Sequence, residues 1–181
     1  MANEWVRPDF TDDEGGTAWT NDDNVWDADA NTYANVVLAT LNGRADPDGV
    51  LEAWYGSGPA GPANAESKLI SKVHVKITSG ACGCAAGSIT WLVRAYYDAR
   101  WNLVAGGSGL AAINIDNEYE IEAAGKDVLG FRLTVSTGCF GFEPPGPWCN
   151  SFVEFKWYDV KGWELSAAKT PVTLLQDSVV L

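Results

Sequence analysis

Apolar and polar residues alternate along several short stretches of the chain. In residues 71–79 the apolar positions are Val73, Val75 and Ile77, and the positions between them are polar. A period of two residues is typical of a half-buried β-strand, with one face against a core and the other toward water. The same alternation recurs over residues 88–98, 129–136 and 151–160.

Short stretches with strand character follow one another through most of the chain. We expect strands at residues 33–41, 50–55, 69–78, 88–98, 100–105, 111–115, 118–123, 129–136 and 151–160. Segments rich in Gly and Pro separate them, and no amphipathic helix is evident. The pattern therefore predicts an all-β protein built as an antiparallel sandwich or barrel.

The two ends of the chain differ from this central region, residues 32–163, which we expect to form the β-sandwich domain. Residues 1–31 hold nine acidic residues against one base, Arg7, so an N-terminal arm or a set of loops is expected there. Residues 164–181 are apolar. They should either return to the sheet as a final strand or lie as an arm on a neighbouring subunit.

The charge of the chain excludes some partners. The 181 residues include 12 basic and 24 acidic side chains, a net charge of −12. Nucleic acids and anionic lipids are bound by surfaces rich in Lys and Arg, so neither is expected as a partner. No apolar run approaches the roughly 20 residues of a membrane span. The N-terminus lacks the features of a signal peptide, so we expect cytosolic synthesis without export.

Four cysteines lie in segments rich in Gly and Pro: Cys82, Cys84, Cys139 and Cys149. Such segments indicate loops. Disulfides are the favoured state, with three possible connectivities, while a zinc site and free thiols remain alternatives. Disulfides would imply that the protein ends up outside the reducing cytosol.

Catalytic chemistry finds little support in the sequence. His74 is the only histidine and lies on the polar face of an alternating strand, where we expect it to face solvent. A Ser-His-Asp or Cys-His arrangement needs a histidine in a site. Carboxylate pairs for glycoside hydrolysis exist, but no pair stands out among so many acids. The protein is therefore expected not to be an enzyme.

An acidic stretch near the N-terminus could hold a structural calcium ion. Asp22, Asp27, Asp29 and Asn31 fall within ten residues, and calcium prefers several oxygen ligands from flexible loops. The glycine and the final glutamate of an EF-hand are missing. The alternative is a solvated acidic turn stabilised by its own side chains.

Aromatic residues in predicted loops could form a carbohydrate site, because sugar rings stack on aromatic faces and bond to polar groups beside them. The candidates are Trp101, Phe140, Phe142 and Trp148. A Cys139–Cys149 bridge, if formed, would clamp the proline-rich loop that carries the last two. The alternative is that these rings pack in loop cores or subunit contacts.

Five segments together resemble the discoidin or galactose-binding-like jelly roll, of the kind found in bacteriophage virion proteins. They are AWTNDDNVWDADANTYANVVL (18–38), SKVHVKI (71–77), RAYYDARWNLV (94–104), Phe131-Arg132-Leu133 and VEFKWYDV (153–160). The likeness covers about residues 17–160 in the order of elements. It implies a jelly-roll β-sandwich, and relatives of this shape bind sugars or lipid head groups or serve as decoration, tail and fibre modules.

These expectations converge on a non-enzymatic structural role. The main hypothesis is a virion protein, a capsid decoration or tail-fibre module, that self-assembles and contacts other virion subunits through its ends and loops. It would be made in the host cytoplasm and reach an oxidising environment in the released particle. One alternative is a carbohydrate-binding module that recognises a surface glycan. Another is an extracellular filament subunit.

Overall fold

Strands account for nearly all of the regular structure. The computed structural model describes residues 2–12, 16–29, 31–41, 44–56, 61–84, 87–139, 141–142 and 148–166. Within them, a short 3-10 helix spans Asp22–Val25. The strands in chain order are β1 (Glu4–Val6), β2 (Phe10–Asp12), β3 (Ala34–Leu41), β4 (Arg44–Ala45), β5 (Gly49–Trp54), β6 (Lys68–Ser79), β7 (Ile89–Tyr97), β8 (Arg100–Gly109), β9 (Asn114–Glu120), β10 (Lys126–Val128), β11 (Gly130–Thr137), β12 (Gly141–Phe142), β13 (Trp148–Cys149) and β14 (Ser151–Glu164).

Two antiparallel sheets enclose one core within the described residues. The seven-stranded sheet has the order β10–β6–β14–β3–β4, with β1 paired to β14 and β9 paired to β6. The five-stranded sheet has the order β2–β5–β11–β7–β8, and β12 pairs only with β13. Trp91 of one sheet meets Trp157 of the other with ring centroids 6.2 Å apart. The prediction of an all-β antiparallel sandwich is therefore confirmed.

The predicted alternation places the core residues correctly. Val73, Val75 and Ile77 of β6 are fully buried, as are Leu133 and Val135 of β11. Because side chains on successive strand residues point to opposite faces, every second residue reaches the space between the sheets. Burial of these apolar side chains is the main force that holds the two sheets together.

A bulge in β14 changes which residues face the core. The pairing of β14 with β6 shifts between Trp157 and Asp159. Trp157 points into the core before the shift and Val160 does so after it, both fully buried. Strict alternation would have placed Asp159 inward, but the extra residue moves its carboxylate to the outer face of the sheet.

The N-terminal segment 1–31, for which the sequence predicts an arm or loops, contributes to both sheets. β1 pairs with β14, and β2 pairs with β5. Trp19, Val25 and Trp26 are buried in the core. These apolar residues lie among the acids of the segment, and their burial ties it to the sandwich.

Two other segments differ in detail from the expectation. A single strand, β9, replaces the two predicted at 111–115 and 118–123. At the C-terminus β14 runs to Glu164, and most of the predicted tail, residues 167–181, lies outside the described residues. No helix among the described residues is long and apolar enough to cross a membrane.

The cysteine pairing corrects one expectation. Cys82, after β6, is bonded to Cys139, after β11, with their Cα atoms 5.5 Å apart. Of the connectivities that the sequence leaves open, the conditional bridge from Cys139 to Cys149 is therefore not formed; the side chain of Cys149 lies outside the described residues. Cys84 is also in a disulfide. The Cys82–Cys139 bond links the ends of two neighbouring segments that leave opposite sheets.

Candidate functional site

A two-residue turn, Asp98–Ala99, joins β7 to β8 at one end of the sandwich. Both residues have positive φ, +52° and +57°. Two positive φ values are the mark of a type I′ turn, whose twist matches that of the hairpin it connects. This conformation costs a residue other than glycine about 1 kcal/mol. Backbone strain of this kind is concentrated at ligand sites and switches.

A cleft of about 490 Å³ lies beside this turn and is called the hairpin cleft below. Its lining combines two aromatic rings, two carboxylates, a hydroxyl and small apolar groups: Tyr96, Tyr97, Asp98, Asp127, Ser67, Pro62, Ala63, Ala99 and Leu129. Ligand sites in proteins usually have volumes of roughly 300–1,000 Å³. The cleft therefore has the size of a small-molecule site.

The two carboxylates of the hairpin cleft differ in their partners. Asp98 lies 4.0 Å from the ammonium group of Lys126, which also pairs with Glu122 at 2.9 Å. Asp127 is exposed and has no side-chain partner within the described part of the chain. An aromatic ring beside such an acceptor can hold a ligand that has both C–H faces and hydroxyl donors.

The ring of Tyr96 belongs to a cluster of three packed aromatic residues. The rings of Trp54, Tyr96 and Trp101 lie within 5.2–5.5 Å of one another, in tilted or edge-to-face arrangements. A Cβ at Gly130 would come within 2.9 Å of Trp54 Cε3, so the missing side chain leaves the space that Trp54 occupies. Packing of this kind fixes the orientation of the Tyr96 ring.

Trp101, predicted to contact a ligand, lies in this cluster and not in the lining of the hairpin cleft. The guanidinium of Arg132 sits 4.5 Å from the centroid of the Trp101 ring. Arg132 also forms an ion pair with Glu52, which is 3% exposed. Trp101 therefore contacts Tyr96, a lining residue of the cleft, without lining the cleft itself.

The side chains of the other predicted aromatic residues are not described by the structure. Phe140 and the side chains of Phe142 and Trp148 lie outside the described residues. The backbones of Phe142 and Trp148 are paired across β12 and β13. Their role as ligand contacts stays a prediction.

The acidic turn predicted to bind calcium uses its side chains internally. Asp27 accepts hydrogen bonds from the Asp29 amide and the Thr32 hydroxyl, and Asp29 accepts two from Asn31. Asp22 lies apart, at the start of the 3-10 helix. No group of three or more acidic, His or Cys side chains that could hold a metal ion occurs in the described ranges. The geometry matches the alternative of a self-stabilised turn, and calcium stays a prediction.

His74 is only partly exposed, which differs from the solvent-facing position expected for it. Its Nε2 lies 2.8 Å from Asp116 and its Nδ1 lies 3.0 Å from Asp159. The Trp5 ring packs against the imidazole, with centroids 6.0 Å apart. The carboxylate of Asp159 beside the ring raises the pKa of His74. Burial would raise the pKa of Asp159, but bonds from His74 and Lys161 outweigh it and lower that pKa.

Most residues of the hairpin cleft could not be chosen from the sequence. Tyr96, Tyr97 and Asp98 belong to one hairpin, which the segment RAYYDARW does signal through its Asp between two strands. Ser67 and Asp127 come from distant segments. Only the pairing of β10 with β6 brings them next to each other, Asp127 opposite Leu69.

Comparisons with known proteins concern the fold. No protein-family model matches the chain, and no curated protein matches it. A CBM32 of AlyQ in complex with 4,5-unsaturated mannuronic acid is similar with a TM-score of 0.44 and 13% identity, over 90% of this chain and 99% of that one. The family 32 CBM of Clostridium perfringens NanJ in complex with galactose has a TM-score of 0.44 and 13% identity, over 86% and 93%.

A third similar structure is the family 89 glycoside hydrolase of C. perfringens in complex with PUGNAc, with a TM-score of 0.47 and 12% identity. The match covers 87% of this chain, which spans 14% of the hydrolase. The fold itself is the antiparallel β-sandwich that the sequence predicts. The expected link to bacteriophage virion proteins receives no support from these comparisons.

Proposed function

We propose that this chain is a non-enzymatic carbohydrate-binding module and that the hairpin cleft is its binding site. The observation that carries the proposal is that Tyr96 and Asp127 line one cleft, where the Asp127 carboxylate has no side-chain partner among the described residues. A sugar presents an apolar C–H face and a rim of hydroxyl donors. The ring would stack against the first, and the carboxylate would accept hydrogen bonds from the second.

The cleft is preorganised, which favours binding over a site that must form. Tyr96 is held by Trp54 and Trp101, and Asp98 by the tight turn. Groups that are already fixed lose little conformational entropy when a ligand arrives. A role without catalysis is supported by the position of His74, the only histidine in the sequence, which is not among the residues that line the cleft.

Binding should depend on both kinds of group. We expect Asp127→Ala and Tyr96→Ala each to weaken the binding of a neutral sugar by about tenfold or more, measured by calorimetry after a glycan-array screen. Asp127 is exposed and without a side-chain partner among the described residues, so its replacement should leave the melting temperature unchanged.

Tyr33→Ala is the matched control for Tyr96→Ala. Like Tyr96, Tyr33 packs against another aromatic ring, that of Tyr158, with ring centroids 5.2 Å apart. This pair lies at β14 of the seven-stranded sheet and does not line the hairpin cleft. Tyr33→Ala should leave sugar binding unchanged. An array without any bound glycan, or equal loss in the Tyr33 and Tyr96 variants, would refute the proposal. The virion and filament roles stay predictions.

A further inference from the structure

A second cavity lies next to the hairpin cleft. It has a volume of about 390 Å³ and shares Ser67 and Asp127 with the first cavity. Its other walls include Lys68, Glu164 and Ser166. Because the two cavities share these two residues, they are adjacent. Together they are called the groove below, which extends from the β7–β8 turn to the end of β14.

The far wall of this groove is fixed by hydrogen bonds. The Ser166 amide and hydroxyl both donate to Asn3 Oδ1, at 3.0 and 3.1 Å. The Leu165 amide donates to the Leu69 carbonyl at 2.8 Å. The end of β14 is therefore held against β6 and the N-terminal segment, and the second cavity is part of the folded sandwich.

The charges around the groove disfavour an acidic ligand. Lys68 lines the second cavity and is already paired with Glu164 at 3.8 Å. Lys126, which precedes Asp127 in β10, is paired with Glu122 and Asp98. Asp127, at the junction of the cavities, has no such partner among the described residues. The chain as a whole carries a net charge of −12. A ligand rich in carboxylate or sulfate groups would meet an uncompensated negative charge at the middle of the groove.

From this adjacency and this charge, we infer that the groove is continuous and binds a linear, uncharged oligosaccharide of several sugar units, with Asp127 bonded to its middle. The inference rests on the proposed function and adds the ligand class. Each cavity alone has a volume near the lower end of the range for ligand sites, roughly 300–1,000 Å³. A single sugar would use only the hairpin cleft, whereas a longer chain would pass Asp127 and reach Ser166.

The test is an affinity ladder measured by calorimetry on the full chain. The probes are neutral gluco-, manno- and galacto-oligosaccharides of one, two, four and six units, with uronic acid oligomers of matching length. We expect the affinity for a neutral series to rise about tenfold between two and four units. The acidic oligomers should bind more weakly than the neutral ones at every length.

Two filling variants divide the groove. Ser166→Trp should block the second cavity and lower the affinity for the longer chains to that for the disaccharide, without changing the monosaccharide. Ala63→Trp should block the hairpin cleft and abolish binding at every length. Thermal melts of both variants confirm that the fold is kept.

The outcomes separate this inference from the function on which it rests. Absence of binding for every probe would overturn the carbohydrate function itself. Binding with no dependence on chain length, or a ladder unchanged by Ser166→Trp, would overturn only the extended groove. Stronger binding of the uronic acid oligomers would overturn the assignment of an uncharged ligand.

Discussion

The guanidinium of Arg132 stacks 4.5 Å from the centroid of the Trp101 ring and at the same time pairs with the buried carboxylate of Glu52. The planar guanidinium suits both contacts, since it can stack on a ring and donate in its own plane. The three side chains come from β8, β11 and β5, so they connect three strands of the five-stranded sheet. Through Trp101, they are connected to the aromatic cluster that contains Tyr96.

Loss of Arg132 should therefore destabilise the protein. We expect Arg132→Met to lower the free energy of unfolding by about 3 kcal/mol, because it removes the guanidinium that pairs with the buried Glu52 carboxylate. Urea denaturation followed by tryptophan fluorescence measures this change.

Two further variants test the reason for that loss. The double variant Glu52→Gln/Arg132→Met should recover part of the stability, because no charge is then left buried. Arg94→Met is the matched control, since Arg94 lies opposite Arg132 and donates a 3.4 Å hydrogen bond to the hydroxyl of Thr134. If Arg94→Met costs as much as Arg132→Met, the ion pair has no special role.

The sequence was sufficient to predict the long strands of the sandwich, because burial in them repeats every two residues. Val73 and Leu133 could be assigned to the core from this period alone. The bulge at β14 could not be predicted, because an extra residue in a strand leaves no mark in the alternation before it. Asp159 was therefore not expected beside His74.

The candidate site was largely beyond the sequence for a different reason. Contacts such as Cys82 to Cys139 or Ser67 to Asp127 join segments about 60 residues apart. A single sequence contains no signal for which loops meet at one end of a sandwich. Trp101 could be named as an aromatic candidate from the sequence. The sequence does not show that its ring packs against Arg132 and Tyr96 instead of lining the cleft.

The turn between β7 and β8 should be improved by glycine. Ala99 has φ of +57°, and we expect Ala99→Gly to raise the free energy of unfolding by about 0.5–1 kcal/mol, since glycine adopts this conformation without a steric penalty. Ala112→Gly, at an exposed position that is not among the positive-φ residues, should instead be neutral or slightly destabilising. A gain in both variants or in neither would show that the turn is unstrained.

The Cys82–Cys139 bond should contribute strongly to stability. It closes a loop of 57 residues, and the lost entropy of the unfolded chain corresponds to about 4 kcal/mol. We expect Cys82→Ala/Cys139→Ala to unfold at a markedly lower urea concentration than the wild type. A peptide map of the unreduced protein should contain the Cys82–Cys139 linkage, and any other partner for Cys139 would contradict the structure.

The contact between His74 and Asp159 should make stability depend on pH. The pKa of His74 is raised in the folded state, so its contribution is complete below the ordinary value of about 6.5 and is lost as the pH rises through the folded pKa. The pKa of Asp159 is lowered, so its contribution is present above about 3.9 and is lost as the pH falls. The pair therefore stabilises the fold most between about pH 4 and 6.5.

His74→Gln isolates this effect from the general influence of the acidic surface. The difference in unfolding free energy between wild type and variant should be largest near pH 5.5 and should shrink as the pH rises toward 8, because only the wild type loses a bound proton there. Lys76→Gln, on the same face of β6, is the control and should change stability by a similar amount at both pH values. Urea titrations at several pH values measure the three proteins together. Parallel curves for wild type and His74→Gln would mean that the pKa of His74 is the same in the folded and unfolded states, which would contradict the effect of Asp159.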